Sequence, residues 1–156
     1  MTLLEEKTKV GDDGKLHINV YSKGKTELGR LLSNFTKSPF NHPEDGNFNS
    51  VEGYWYWLSC KKEELRKLYG YQAKKFGRDN GGCDWVETEE FKRKIKLAIK
   101  SKIEQNQKIY KLLTEYSLPF KHYYVFNEHV VEPSNTKWII EYLEELRNEI
   151  RLENKR

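Results

Sequence analysis

The sequence has little cysteine and no arrangement of it that makes a framework. Its two cysteines, Cys60 and Cys83, form neither a Cys-x-x-Cys pair nor a Cys/His ligand pattern. Free thiols in a reducing compartment are the expectation. The four histidines, His17, His42, His122 and His129, also lack a metal-ligand spacing, so no metal and no cofactor is expected. No apolar run is long enough to cross a bilayer, and the first residues lack the basic-then-apolar order of a signal peptide. The expected location is therefore the cytoplasm, with no membrane partner. Internal repeats and low-complexity linkers are missing too. A chain of 156 residues then reads as one domain over 1–156, long enough for one core.

What the chain does have is an aromatic cluster in a hydrophilic setting, with a mean hydropathy of −0.91. Two of its four tryptophans lie in Ser50-Val-Glu-Gly-Tyr-Trp-Tyr-Trp57, just behind the carboxylate of Glu52. Either this is a core corner, or it is a pocket wall that stacks a flat ring beside an acid. On a helix the four rings sweep the whole circumference, so at most two face one pocket. Tyr54 and Trp57 share a face; Trp55 and Leu58 share another. The charge is uneven as well. Residues 92–111 carry eight Lys/Arg against one acid, Glu104, within a net charge of +4. Such a stretch is either a solvated helix face or an attractor of phosphates without sequence readout.

The patterning predicts an α+β, mostly helical domain with a few short strands. Leu16, Ile18 and Val20 alternate with His17, Asn19 and Tyr21 behind Asp13-Gly14, which predicts a hairpin whose arm is residues 1–15. Residues 22–50 are rich in turn formers and predict loop with short extended pieces. Ser50 predicts the cap of a helix running toward Tyr69, and a second short helix follows Gly70 and ends near Gly77. Thr88 with Glu89 and Glu90 predicts the start of a long helix whose stripe runs from Phe91 through Ile103 to Leu113. A short extended segment over 122–126 and a helix starting after Ser134 or Asn135 complete the chain, with residues 151–156 frayed.

The order of several short motifs carries a resemblance. They are Ile18-Asn-Val-Tyr-Ser22, Ser33-Asn-Phe35, Ser50-Val-Glu-Gly-Tyr54, Gly77-Arg-Asp79, Trp85 and Ile99-Lys-Ser-Lys-Ile-Glu-Gln105. In this order the chain resembles the NADAR, or YbiA-like, family. It departs from the family pattern at Tyr56-Trp-Leu-Ser-Cys60, where family members carry Gln-Ala-x-Lys-Phe and Ser59 stands in the lysine's place. The family's C-terminal Trp-Gly and Gly-x-Asn-x-Leu-Gly elements are missing, so the chain resembles a divergent branch. Its compactness and divergent motifs would suit a phage-encoded enzyme acting in the host cytoplasm to reverse a host-inflicted DNA modification.

The resemblance implies cleavage of a bond between ribose C1 and nitrogen. The leading expectation is an ADP-ribosyl glycohydrolase that restores ADP-ribosylated guanine in nucleic acid. An N-glycosidase of phosphorylated riboflavin-pathway intermediates is the alternative, and a non-catalytic module that binds ADP-ribose or nucleic acid is another. Such a bond breaks through a transition state that shares positive charge between C1 and the ring oxygen, which a carboxylate stabilises. Glu52 is the expected main carboxylate, and Glu128, from Asn127-Glu128, the expected second. With the family lysine absent, a Schiff-base route would need Lys61, Lys23 or Lys75 to reach C1, and Lys61 is the candidate nearest the family position. Tyr21, Asn34, Tyr54, Arg78, Asp79, Trp85 and Asn127 are the expected substrate contacts, with Arg78 suited to a diphosphate. Lys92, Lys96 and Lys100 are the expected contacts to nucleic-acid phosphates.

Overall fold

The computed structural model describes residues 7–82 and 88–155. Its first half runs β1 (Ile18–Asn19), α1 (Glu27–Leu32), β2 (Phe40–His42), β3 (Gly46–Phe48), α2 (Val51–Cys60) and α3 (Gly70–Asp79). The second half runs α4 (Glu89–Glu104), α5 (Gln107–Glu115), β4 (Phe120–Lys121), β5 (Tyr124–Phe126), β6 (His129–Val131) and α6 (Lys137–Asn154). It is an α+β fold, mostly helical, as the patterning predicts. The α6 helix continues through Asn154, beyond the point where fraying is expected.

The predicted N-terminal hairpin does not form among the described residues. Instead, β1 pairs in parallel with β4, registering Ile18 with Phe120 and Asn19 with Lys121. Asp13 and His17 make only an isolated bridge. The alternation misleads because this segment is covered on both faces. Leu16, expected inside, is 61% exposed, while His17 and Asn19, expected outside, are buried. Burying such polar groups is tolerable only when they are hydrogen-bonded. The Asn19 amide accepts from the Tyr123 backbone N–H at 3.0 Å and donates to the Tyr123 carbonyl at 3.0 Å, extending the ladder by a side chain. His17 Nε2 lies 2.6 Å from the Tyr123 hydroxyl.

Helix starts follow the predicted chemistry. Ser50 Oγ accepts from the Gly53 N–H at 3.0 Å, and Thr88 Oγ1 accepts from the Phe91 N–H at 3.1 Å. The α2 helix stops earlier than predicted, because Lys61 adopts a left-handed conformation (φ 55°) and caps it through its N–H to the Trp57 carbonyl. The long stripe also divides: Gln105 and Asn106 break it, so α4 and α5 are separate helices that bury Ile103, Ile109 and Leu113 in the same core. The loop predicted over 22–50 contains α1, capped by Thr26, and the β2–β3 hairpin.

One face of α2 fills the core. Tyr54 is fully buried against Phe40, Phe48 and Trp57, and its hydroxyl donates to Asp45 Oδ2 at 2.6 Å. The other face meets α3 at Gly77, where an added Cβ would stand 2.2 Å from Tyr56 Cγ. Gly77 therefore sets the distance between the two helices and fixes the Tyr56 ring. Gly77→Ala is expected to cost about 1–3 kcal/mol by overpacking. Urea unfolding measures it; a loss within about 0.5 kcal/mol would mean that the two helices separate freely.

Candidate active site

Three consecutive carbonyls in the loop after α1 gather three helices. The Lys102 ammonium nitrogen of α4 donates to the Ser33 carbonyl at 2.9 Å. The backbone N–H of Glu52, in the first turn of α2, donates to the Asn34 carbonyl at 3.0 Å. The Gly70 N–H, opening α3, donates to the Phe35 carbonyl at 2.9 Å. Ser50 reinforces the junction by donating its hydroxyl to the Leu68 carbonyl at 2.9 Å while capping α2. The Ser33-Asn-Phe35 motif is thus the seam on which α2, α3 and α4 are docked.

Beside that seam lies a cavity of about 270 Å³. Glu52, Trp55 and Tyr56 line it from α2, the i, i+3, i+4 set of one helix face. Lys74 and Arg78, four apart on α3, line it from a second side. Tyr21 follows β1 and Asn34 belongs to the seam; His122 and Tyr124 come from the segment after β4. Asn135, Thr136, Ile139 and Ile140 close it where α6 begins. The Tyr21 and Tyr124 rings meet edge to face at 5.5 Å, giving the cavity an aromatic wall.

Burial dominates the electrostatics here. It pushes the Glu52 carboxyl up to about 7, even though Lys74, a hydrogen bond from Tyr56 and Arg78 all pull it down. A carboxylic acid that titrates near neutrality in an aromatic cavity can give or take a proton at physiological pH. Burial, and after it the nearby Glu52 charge, raises the Tyr124 phenol, so Tyr124 stays protonated. Burial also lowers His122, whose Nδ1 lies 2.6 Å from the Val20 carbonyl. Lys102 is buried and its amine is pushed down to about 7.

Of the expected site residues, the cavity gathers Glu52, Tyr21, Asn34 and Arg78. Others lie elsewhere. Tyr54 points into the core on the opposite face of α2. Lys61 caps the far end of α2, roughly 13 Å along the axis from Glu52, with Nζ 4.1 Å from the Trp57 ring centre. Ser59 donates to the Tyr56 carbonyl at 3.3 Å. Asn127 and Glu128 form the tight β5–β6 turn, with φ of 47° and 69°, and Glu128 lines a different depression beside Lys9 and Val10. Asp79 pairs with Lys75 at 2.8 Å on the surface. Trp85 lies outside the described residues. The row Lys92, Lys96, Lys100 runs along α4 against α6: Lys92 Nζ is 5.7 Å from the Trp138 ring and Lys96 Nζ 5.6 Å from that of Tyr142. Lys100 faces Glu104 at 3.8 Å.

Lys74, His122 and Tyr124 are cavity residues that the motifs did not single out. Lys74 carries a signal in hindsight, since it precedes Arg78 by one helical turn. Among the described residues, no group of three or more His, Cys, Asp or Glu is placed to hold a metal ion.

A domain of this element order, with one acid in a cavity between helices and a parallel β1–β4 pair, defines the fold class. The same fold is found in a solved structure, the NMR structure of the Escherichia coli protein YbiA. The two superpose with a TM-score of 0.63 at 18% identity, covering 94% of this chain and 95% of that one. No family model matches the sequence, and no curated protein matches it.

The elevated Glu52 acid has a measurable thermodynamic consequence. The folded state holds its proton up to about pH 7, the unfolded chain only to about 4.5. Ionisation therefore costs stability progressively between those values and by a constant amount above them. Glu52→Gln is expected to match wild type near pH 4.5 and to be more stable by about 1–3 kcal/mol at pH 8. Urea unfolding at the two pH values measures the difference; a less stable variant at pH 8 would contradict it.

Proposed function

We propose that this chain is an N-glycosidase that cleaves the bond between ribose C1 and a nitrogen, with ADP-ribosylated guanine in nucleic acid as its substrate. The observation that carries the reading is Glu52, a carboxyl raised to about 7 inside an aromatic cavity. Glu52 in its acid form passes its proton to the departing nitrogen, and the carboxylate this leaves stabilises the positive charge shared by C1 and the ring oxygen. Arg78 and Lys74, on one face of α3, are suited to grip phosphate oxygens, Arg78 in a bidentate manner. Tyr21, Trp55, Tyr56 and Tyr124 supply flat surfaces for a base. The Asn34 side chain is proposed to bond a ribose hydroxyl or phosphate oxygen, and Lys92, Lys96 and Lys100 to meet nucleic-acid phosphates outside the cavity. The fold shared with YbiA is consistent with this reading.

A second reading is favoured by the engagement of that lysine row with Trp138 and Tyr142. If the row serves helix packing, the substrate is a small phosphorylated N-glycoside, such as a riboflavin-pathway intermediate, held by the cavity alone.

The test is incubation with a guanine-ADP-ribosylated oligonucleotide, following release of ADP-ribose and recovery of unmodified guanine. Glu52→Gln is expected to lower turnover by roughly 10²–10⁴-fold while the oligonucleotide still binds. Turnover of small phosphorylated N-glycosides with the oligonucleotide untouched would replace the first reading by the second. Binding without any turnover would make the chain a binding module.

A further inference from the structure

We propose that His122 is the general base of this cavity: its Nε2 takes a proton from the water that attacks ribose C1, while Glu52 in its acid form protonates the leaving nitrogen. The proposal rests on the N-glycosidase reading and names a catalytic residue that the motifs do not contain.

The backbone fixes which nitrogen is available. Parallel pairing of β1 with β4 continues through the Val20 N–H, which donates to the Lys121 carbonyl at 2.8 Å. This brings the next side chain, His122, back onto Val20, where Nδ1 sits 2.6 Å from the carbonyl oxygen. A carbonyl can only accept, so Nδ1 carries the hydrogen. In the neutral ring the lone pair then belongs to Nε2. The Tyr124 ring packs edge to face against the imidazole at 5.0 Å and restrains its rotation.

His122 also stands where water can reach it. It lines both the Glu52 cavity and an adjoining, more open cavity of about 670 Å³. The charged groups around it are Glu52, Lys74 and Arg78 on the inner side, with Lys7, Lys121, Glu132 and Lys137 on the outer side. Burial outweighs its one hydrogen bond and shifts the ring below the ordinary imidazole value, toward the neutral form, while Glu52 still holds a proton up to about 7. Acid and base therefore coexist in the forms that hydrolysis needs. The other buried histidines are committed elsewhere. His42 uses both nitrogens, Nε2 toward the Lys94 carbonyl and Nδ1 accepting from the Glu44 and Asp45 N–H groups, and His17 is bonded to Tyr123.

The step balances. The C1–N bond breaks with its electron pair leaving on nitrogen, which takes the proton of Glu52. Water oxygen bonds to C1 and gives its proton to Nε2 of His122. The products are the free ribose hydroxyl and the N–H base, and solvent returns the proton from the imidazolium to the Glu52 carboxylate.

Two measurements test this. On wild-type protein at pH 8, ¹⁵N-detected imidazole spectra are expected to give a neutral Nδ1–H tautomer for His122. A neutral Nε2–H tautomer would overturn the proposal whether or not turnover is seen. In kinetics, H122N keeps a donor for the Val20 carbonyl but has no Nε2. It is expected to lower kcat by about 10²-fold or more with KM within a few-fold, and to lose the acidic limb of the pH profile. A variant within about threefold of wild type with an unchanged profile would overturn the role of His122 and leave the N-glycosidase reading standing. If wild type turns over neither the modified oligonucleotide nor small N-glycosides, the N-glycosidase reading itself falls, and the proposal with it.

Discussion

The fold and its cavity depend on one short stretch of backbone, the three carbonyls of Ser33, Asn34 and Phe35. Each accepts from a different helix: Lys102 of α4, the first turn of α2, and the first residue of α3. Such bonds contribute only about 0.5–1.5 kcal/mol each, but leaving a buried partner unmade costs more. Their larger effect is geometric. The Glu52 N–H is one of the orphan donors of a helix start, and the Asn34 carbonyl satisfies it at the place where the side chain of Glu52 must enter the cavity. Ser50, tied to both Gly53 and Leu68, prevents the helix start from sliding.

Desolvation and charge compete in the space this creates, and desolvation wins twice. Lys74 and Arg78 would keep an exposed carboxylate ionised well below neutrality, yet Glu52 still rises to about 7. Burial takes Lys102 down to about 7, although its amine donates to the Ser33 carbonyl. Both groups destabilise the folded state in their charged forms, which is the usual relation between a reactive site and its scaffold. The contrast with Tyr54 is instructive. It lies two residues from Glu52 on the same helix, but it faces the core and its hydroxyl is bound to Asp45.

Local signals in the sequence were legible where local physics decides. The Ser50 and Thr88 caps, the second helix opening at Gly70 and the α4 stripe follow from side-chain chemistry within a few residues. The four-aromatic run also had to divide between faces, and it does, with Trp55 and Tyr56 on the cavity and Tyr54 and Trp57 in the core. Periodicity could not say which pair faced which way, because that depends on where α3 docks. Lys102 was half legible: it lies four residues after Ala98 and three after Ile99, on the buried stripe. The β1–β4 pair was not legible, since its partners lie about a hundred residues apart and its strand buries Asn19 and His17 through side-chain hydrogen bonds. For the same reason His122 carried no signal, as its orientation comes from that long-range pairing.

The central claim is that the cavity holds Glu52 as an acid near neutral pH. Titration of the Glu52 side-chain carboxyl by ¹³C NMR in the free protein tests it most directly. A midpoint near 7 is the predicted result. A midpoint near 4.5 would mean that Glu52 is an ordinary helix-start carboxylate, and the account of the site would fail.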